Sequence, residues 1–248
     1  MKCLKISIIT VCYNAVETIE ETIKSVTNQS YKNIEYIVID GGSNDGTQGI
    51  ITRHNEHISK WVSEKDNGIY DAMNKGLNIA TGDWVYFLGS DDVLDNNMVI
   101  EEMVANFSDL NTNYYGDVYW KNSKILYQFK TTRLSLCLKN ISHQSLFYCK
   151  NYYKNNVYNC KYKLFADHIY NIQMYASDER KVQYVPKLVA IYTDGGRSST
   201  ANDELYFHDL PSIVKNFFGV KYAVYVFYRL FLFNQKRHLS GFIKKYWS

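Results

Sequence analysis

Four segments of the 248-residue chain concentrate side chains able to hold a charge, a phosphate or a proton. One is Gly89-Ser90-Asp91-Asp92. Adjacent carboxylates repel unless something positive lies between them, so Asp91 and Asp92 suit an oxygen-liking Mg²⁺ or Mn²⁺ carrying a diphosphate. The rival use is a turn or helix cap, for which aspartate is equally fit. The second pairs Thr10-Val11-Cys12-Tyr13-Asn14 with Asp40-Gly41-Gly42-Ser43-Asn44-Asp45-Gly46-Thr47. Tyr13 offers a face for a uracil-like base and Asp40 an acceptor for its imino N–H. Two plain turns are the alternative, because Asp, Asn and Gly favour turns without a ligand and the glycines match neither a Walker loop nor a dinucleotide fingerprint.

The third runs from Glu64 to Gly76 and includes Asp66, Asp71 and Lys75. Lys75 lies four residues beyond Asp71 on one helix face, so it either points at a phosphate or pairs with Asp71. In the fourth, Phe165-Ala166-Asp167-His168, an acid opens an otherwise apolar helix as a general base or a cap. His143 and Gln144, beside Ser142, are candidates to touch a substrate, although a lone histidine is more often structural. His54 and His57 have no third ligand in view and are assigned no metal.

The elements that carry these segments follow from hydrophobic period. Short β-branched runs over 5–11 and 34–40 read as strands buried on both faces, and helical spacing links Val16, Ile19, Ile23 and Val26 between them. Further strands are expected at 60–64 and 84–88, with an amphipathic helix from Ile69 to Ala80. This alternation predicts an α/β fold with a mainly parallel central sheet flanked by helices, whose ligands sit beyond the strands' carboxyl ends. Each polar cluster of the first hundred residues falls at such an end. Later, 114–120 and 125–129 suggest a hairpin, 144–148 a strand and 165–175 a helix. A boundary is expected near 198–203, dividing a domain of residues 1–200 (1–110 nucleotide-binding, 111–200 acceptor-binding) from a helical tail, 201–248.

Composition excludes several classes. Hydrophobic residues make up 46% and charged residues 21%, too apolar for a disordered chain, and two prolines exclude a linker-dominated one. The five cysteines are scattered and never in a C-x-x-C pair, so neither a disulfide framework nor a zinc ribbon is signalled and a cytoplasmic location fits. The net charge of +3 conceals an asymmetry: residues 210–248 hold seven basic side chains and no acidic one. These are interleaved with aromatics, a mixture suited to an anionic membrane surface. The alternative is that the aromatics pack on the domain or on a partner subunit.

Taken in order, segments 8–14, 37–47, 66–76, 80–83 and 88–92 resemble glycosyltransferase family 2. Gln144, preceded by His143, and Asp167 extend the likeness to about residue 200. The resemblance implies a GT-A fold, a nucleotide-sugar donor, a divalent Mn²⁺ or Mg²⁺ and inversion at the anomeric carbon. Carried over by position, it implies Thr10, Tyr13, Asn14, Asp40 and Ser43 around the base and ribose, with Asp66 and Lys75 further along the nucleotide or diphosphate. Asp91 would hold the metal, Asp92 is a second candidate, and Asp167 matches the catalytic base. Thr193-Asp194-Gly195-Gly196-Arg197-Ser198 resembles a mobile loop after the last core strand, from which Arg197 would reach the diphosphate. Two family acids are missing, replaced by Gly89 and Ala166.

The function so implied is transfer of a hexose or N-acetylhexosamine from a UDP-sugar to a lipid-linked oligosaccharide in bacterial surface-polysaccharide assembly, at the inner face of the cytoplasmic membrane and without nucleic acid. Two other classes stand beside it. A sugar nucleotidyltransferase would need a glycine-rich loop and a basic residue after the first strand, which Cys12-Tyr13-Asn14-Ala15 does not supply. A non-catalytic carbohydrate-binding protein is suggested only by the missing acid at Gly89.

Overall fold

The computed structural model describes residues 4–195 and 203–246, with side chains as far as 233. Strand β1 (Ile6–Cys12), helix α1 (Ile19–Thr27), strand β2 (Ile34–Asp40), helix α2 (Thr47–Arg53), strand β3 (Lys60–Ser63), helix α3 (Ile69–Ile79) and strand β4 (Trp84–Gly89) form the first half. Beyond it come β5 (Val93–Leu94), α4 (Val99–Val104), β6 (Asn113–Trp120), β7 (Ile125–Tyr127), α5 (Arg133–Leu136), β8 (Leu146–Cys149), α6 (Lys150–Tyr153), α7 (Ala166–Ser177) and β9 (Val182–Tyr192). Two helices close the chain, α8 (Glu204–Phe218) and α9 (Val220–Tyr246).

One sheet orders its strands β3-β2-β1-β4-β8-β6-β9-β5, with β7 beside β6. The first four strands are parallel, so their side chains are covered on both faces: Ile6, Ile8 and Ile9 of β1 and Ile37, Val38 and Ile39 of β2 are fully buried. β8 is antiparallel to both β4 and β6. That reversal matters for the site. The carboxyl ends of β1, β2 and β4 open onto one rim of the sheet, and β8, running the other way, begins at the same rim.

Two elements begin later than the sequence expectation. Helix α1 starts at Ile19, because the backbone N–H groups of Asn14, Ala15 and Val16 are taken by Ser43, Thr47 and Asp45 of the facing loop. The strand expected over 144–148 starts only at Leu146, since His143–Ser145 wind into a single 3₁₀ turn.

At the opposite end of the sheet, Glu35 ties β1, β2 and the approach to β4 together. Its buried carboxylate accepts hydrogen bonds from Ser7 Oγ (2.6 Å), Thr81 N (2.7 Å) and Thr81 Oγ1 (2.9 Å), with Lys5 Nζ at 3.3 Å. Burial alone would raise its pKa, but these donors outweigh it and hold the carboxyl down to about 2. A depressed folded-state value stabilises above the ordinary carboxylate range and is lost as pH falls through that lower value. Between pH ~4.5 and ~2 the protein should therefore lose about 2 kcal/mol from this group alone. Denaturant titrations of wild type and Glu35→Gln check this: the variant should show a shallower acid slope.

The chain's end is anchored by Asp203, whose side chain caps α8 through Tyr206 N (3.3 Å) and accepts from Leu164 N (3.0 Å). Tyr206, Leu210, Val214 and Phe218 bury one face of α8. Helix α9 buries Val226 but presents a second apolar stripe to solvent at i, i+4, i+7, i+8 and i+11: Val220, Val224, Phe227, Tyr228 and Phe231, each more than half exposed. Among the described residues no helix is long and apolar enough to cross a membrane.

Candidate active site

A cavity of about 110 Å³ opens at the rim between β1, α3 and the end of β4, lined among others by Val11, Ile69, Met73, Gly89, Asp91 and His143. Asp91 sits at its edge. Its carboxylate has no partner among the described residues beyond its own backbone N–H, and desolvation by the cavity wall raises its pKa. Asp92 turns inward instead. Its Oδ1 accepts from Thr193 N (2.9 Å) and its Oδ2 from Gln144 Nε2 (3.1 Å), while burial and the neighbouring Asp91 push its carboxyl well above the ordinary range. Asp92 thus belongs to the wall and Asp91 to the cavity.

Gly89 explains how two adjacent acids fit here. A Cβ at this position would lie 2.5 Å from Asp92 Oδ2 and 3.2 Å from Asp91 Oδ1. The space a side chain at 89 would need is taken by the Asp92 carboxylate. Among the described residues no three His, Cys, Asp or Glu side chains gather into a metal cage. One free carboxylate at a rim still fits a hard cation that keeps its waters and takes further oxygens from a diphosphate, the usual habit of Mg²⁺.

The β1 and β2 ends form the adjoining wall. Asp40 is fully buried, and its carboxylate accepts from Ser43 N (3.0 Å), Ser63 Oγ (2.5 Å), Ser43 Oγ and Cys12 Sγ (3.6 Å). Ser43 Oγ in turn accepts from Asn14 N at 2.7 Å, and Asn14, at φ 51°, accepts from Asn44 N at 3.0 Å. Thr10 is buried against Tyr36, whose hydroxyl lies 3.1 Å from Thr10 Oγ1. Asp40, Ser43, Asn14 and Thr10 thus build the loop, whereas the Tyr13 ring, 59% exposed, is the member offered to solvent. Asp66 joins it: its Oδ2 would stand 2.9 Å from a Cβ on Gly41, with Tyr13 on the same glycine's other side. Bare backbone at Gly41 lets the two approach.

Lys75 reaches away from its own helix. Its Nζ is 2.5 Å from Asp66, 2.8 Å from Glu64 and 3.7 Å from Asp71, so Asp66 and Glu64 are closer partners than the residue one turn back. Partial desolvation opposes the lysine's charge, but the two carboxylates prevail and raise its pKa. Arg197 lies outside the described residues.

On the β8 side a network closes around Asp167 at the start of α7. Oδ1 is 2.9 Å from both Tyr70 Oη and His168 N, and Oδ2 is 2.8 Å from Asn140 Nδ2 and 3.3 Å from His143 Nδ1. Tyr70 shares its proton with Leu164 O at 2.8 Å. Burial opposes the charge, yet His143 and then Tyr70 compensate, and the Asp167 carboxyl is held below its ordinary value. Gln144 is buried, its amide spanning Ser142 Oγ (2.6 Å) and Asp92. Its role here is to tie the β8 turn to the end of β4. Tyr70, Asn140 and Ser63 are given no role by the sequence reading, and Thr193 is read only as the start of a loop. Tyr70 falls inside the Asp66–Gly76 segment and Asn140 three residues before His143, but their meaning depends on contacts between distant segments.

The sheet order and the rim describe an α/β architecture with its polar clusters at the strands' carboxyl ends, and the sequence comparisons supply its family. The profile described as Glycosyl transferase family 2 matches residues 7–169, and the chain belongs to that family. A relative in Mycobacterium bovis (strain BCG / Pasteur 1173P2), named PGL/p-HBAD biosynthesis glycosyltransferase, is 31% identical over 217 residues, covering 83% of each chain. Among solved structures, S. aureus TarS 1-349 in complex with UDP-GlcNAc superposes with a TM-score of 0.70 at 21% identity, over 85% of this chain and 65% of that one. Against the longer TarS chain the overlap is 39% of its length. The mannosyltransferase PcManGT from Pyrobaculum calidifontis, in complex with GDP-Man and Mn2+, gives a TM-score of 0.63 at 15% identity, over 90% of this chain and 74% of that one. These likenesses identify the fold as GT-A, as the resemblance implied.

Proposed function

We propose that this family 2 glycosyltransferase is an inverting hexosyltransferase moving a hexose or N-acetylhexosamine from a UDP-sugar to a lipid-linked oligosaccharide of bacterial surface-polysaccharide assembly (O-antigen, capsule or exopolysaccharide). The observation that carries the reading is Asp91: a carboxylate raised in pKa by its surroundings, without a side-chain partner among the described residues, on a cavity shared with His143. The UDP-GlcNAc complex of TarS supports the donor class and the Mn2+ complex of PcManGT supports the cation. Tyr13 stacks on the base, the loop built by Thr10, Asn14, Asp40 and Ser43 holds base and ribose, and Asp66 with Lys75 borders the phosphates. The family resemblance would add Arg197 to the diphosphate contacts.

Asp91, with Asp92 behind it, is the ligand for Mn²⁺ or Mg²⁺, which when bound supplies positive charge against the diphosphate leaving group. The acceptor hydroxyl is a poor nucleophile at neutral pH, and the Asp167 centre removes its proton as the oxygen attacks C1 from the face opposite the diphosphate. His143 and Gln144 flank the acceptor. A thermal-shift panel of nucleoside diphosphates with and without Mn²⁺ tests the donor. UDP at about 100 times its Kd should add about 2.7 kcal/mol of apparent stability in the presence of Mn²⁺. A response to GDP alone would exclude a UDP-sugar.

Residues 201–248 form a basic, aromatic helical tail beside the catalytic unit, 1–200. The exposed α9 stripe, within residues 210–248, which hold seven basic and no acidic side chains, fits an anionic lipid surface on the cytoplasmic side, where a lipid-linked acceptor resides. The full chain should float with anionic liposomes at low salt and less at high salt, and Phe227→Ser with Phe231→Ser should weaken flotation. Equal flotation with neutral liposomes would exclude this surface.

A further inference from the structure

We propose that the proton acceptor in this active site is Nε2 of His143, with Asp167 acting behind it as the group that orients and steadies the ring. The proposal rests on the glycosyltransferase reading and deepens it. Three observations carry it. First, Asp167 has no vacancy: Tyr70 and His168 N lie at Oδ1 and Asn140 and His143 at Oδ2, all within 2.8–3.3 Å, which takes up the roughly four lone-pair directions of a carboxylate. A substrate hydroxyl would have to displace a protein donor to reach it.

Second, position separates the two residues. His143 lines the cavity with Asp91, whereas Asp167 does not, and the His143 side chain is 22% exposed against 11% for Asp167. Third, the tautomer follows from the partner. An ionised carboxylate can only accept, so His143 Nδ1 carries the proton that faces Asp167, and in the neutral ring Nε2 then presents a lone pair. No group among the described residues bonds Nε2. The charged or titratable groups around the ring are Asp91, Asp92 and Asp167, with Tyr70 and His168 behind Asp167.

In the step so assigned, the acceptor O–H proton moves to His143 Nε2 while the oxygen forms its bond to C1 of the sugar. The bond from C1 to the diphosphate oxygen breaks, its electron pair leaving with the nucleoside diphosphate. The imidazolium, stabilised by Asp167, afterwards returns its proton to solvent. The arrangement needs no reactant beyond donor and acceptor.

The test uses the full chain with Mn²⁺ and a panel of UDP-sugars, including UDP-N-acetylglucosamine, with water as the acceptor, and measures release of UDP. His143→Gln and His143→Gly should lower turnover by about 10²- to 10⁴-fold, with the UDP-induced thermal shift of wild type retained. Added imidazole should restore turnover to His143→Gly and leave Asp167→Asn unchanged, a response that lost packing alone would not give. Wild-type turnover in His143→Gln, or a His143→Gly variant indifferent to imidazole, overturns the proposal while leaving the glycosyltransferase reading intact. A wild-type protein that neither shifts with UDP nor releases it overturns both.

Discussion

Asparagine at position 167 is expected to lower sugar transfer by about 10³- to 10⁴-fold while UDP affinity changes by no more than about twofold. The carboxylate is surrounded by donors on both oxygens. An amide in its place must turn its NH₂ either toward Tyr70 and His168 N or toward Asn140 and His143, and in both orientations a donor meets a donor. If the NH₂ faces His143, Nδ1 is forced to accept, the ring carries its proton on Nε2, and the lone pair facing the cavity is gone. If it faces Tyr70, the negative charge that stabilises a protonated ring is still lost. Asp167 itself does not line the cavity that Asp91 and His143 share. Steady-state transfer rates beside UDP titrations check the separation, and wild-type turnover would remove Asp167 from the reaction.

Asp91→Asn is the second large effect. Turnover should fall by at least about 10²- to 10³-fold, and the stabilisation that Mn²⁺ adds to UDP binding should disappear. Stability should move the other way. Because the Asp91 carboxyl is held above its ordinary value, its ionised form is disfavoured in the folded protein. That cost is present above the raised value and vanishes as pH falls below the ordinary carboxylate range. At pH 7 and without cation, the variant should therefore melt no lower than wild type, and the gap should close on acidification. A melting temperature several degrees lower would mean that Asp91 is a structural cap, the rival reading of its sequence.

Much of the donor half was legible because its signals are local. β2 spans the expected residues, and β1, β3, β4 and α3 deviate by a residue or two, since β-branched runs and turn clusters punctuate a parallel sheet clearly. The start of α1 was not legible, because side chains some thirty residues away take its backbone donors. Asp91 and Asp92 look alike in sequence and differ entirely in space. What separates them is a hydrogen bond from Thr193, one hundred residues on, and another from Gln144. His143 read as a candidate to touch a substrate, but its pairing with Asp167 was not legible, because that partner lies 24 residues away on another element.

The reversed strand β8 has a consequence for how such an enzyme diversifies. Each donor-side segment leaves the sheet at the rim, at the end of β1, β2 or β4, so its position is fixed by the register of strands already laid down. The chain carrying Asn140, His143 and Gln144 instead arrives at the rim before entering β8, after a stretch that holds only the short elements β7 and α5. Insertions or deletions in that stretch can reshape one wall of the cleft without shifting a single pairing in the other. The fold thus separates the wall laid down by the parallel strands from the wall that arrives with β8.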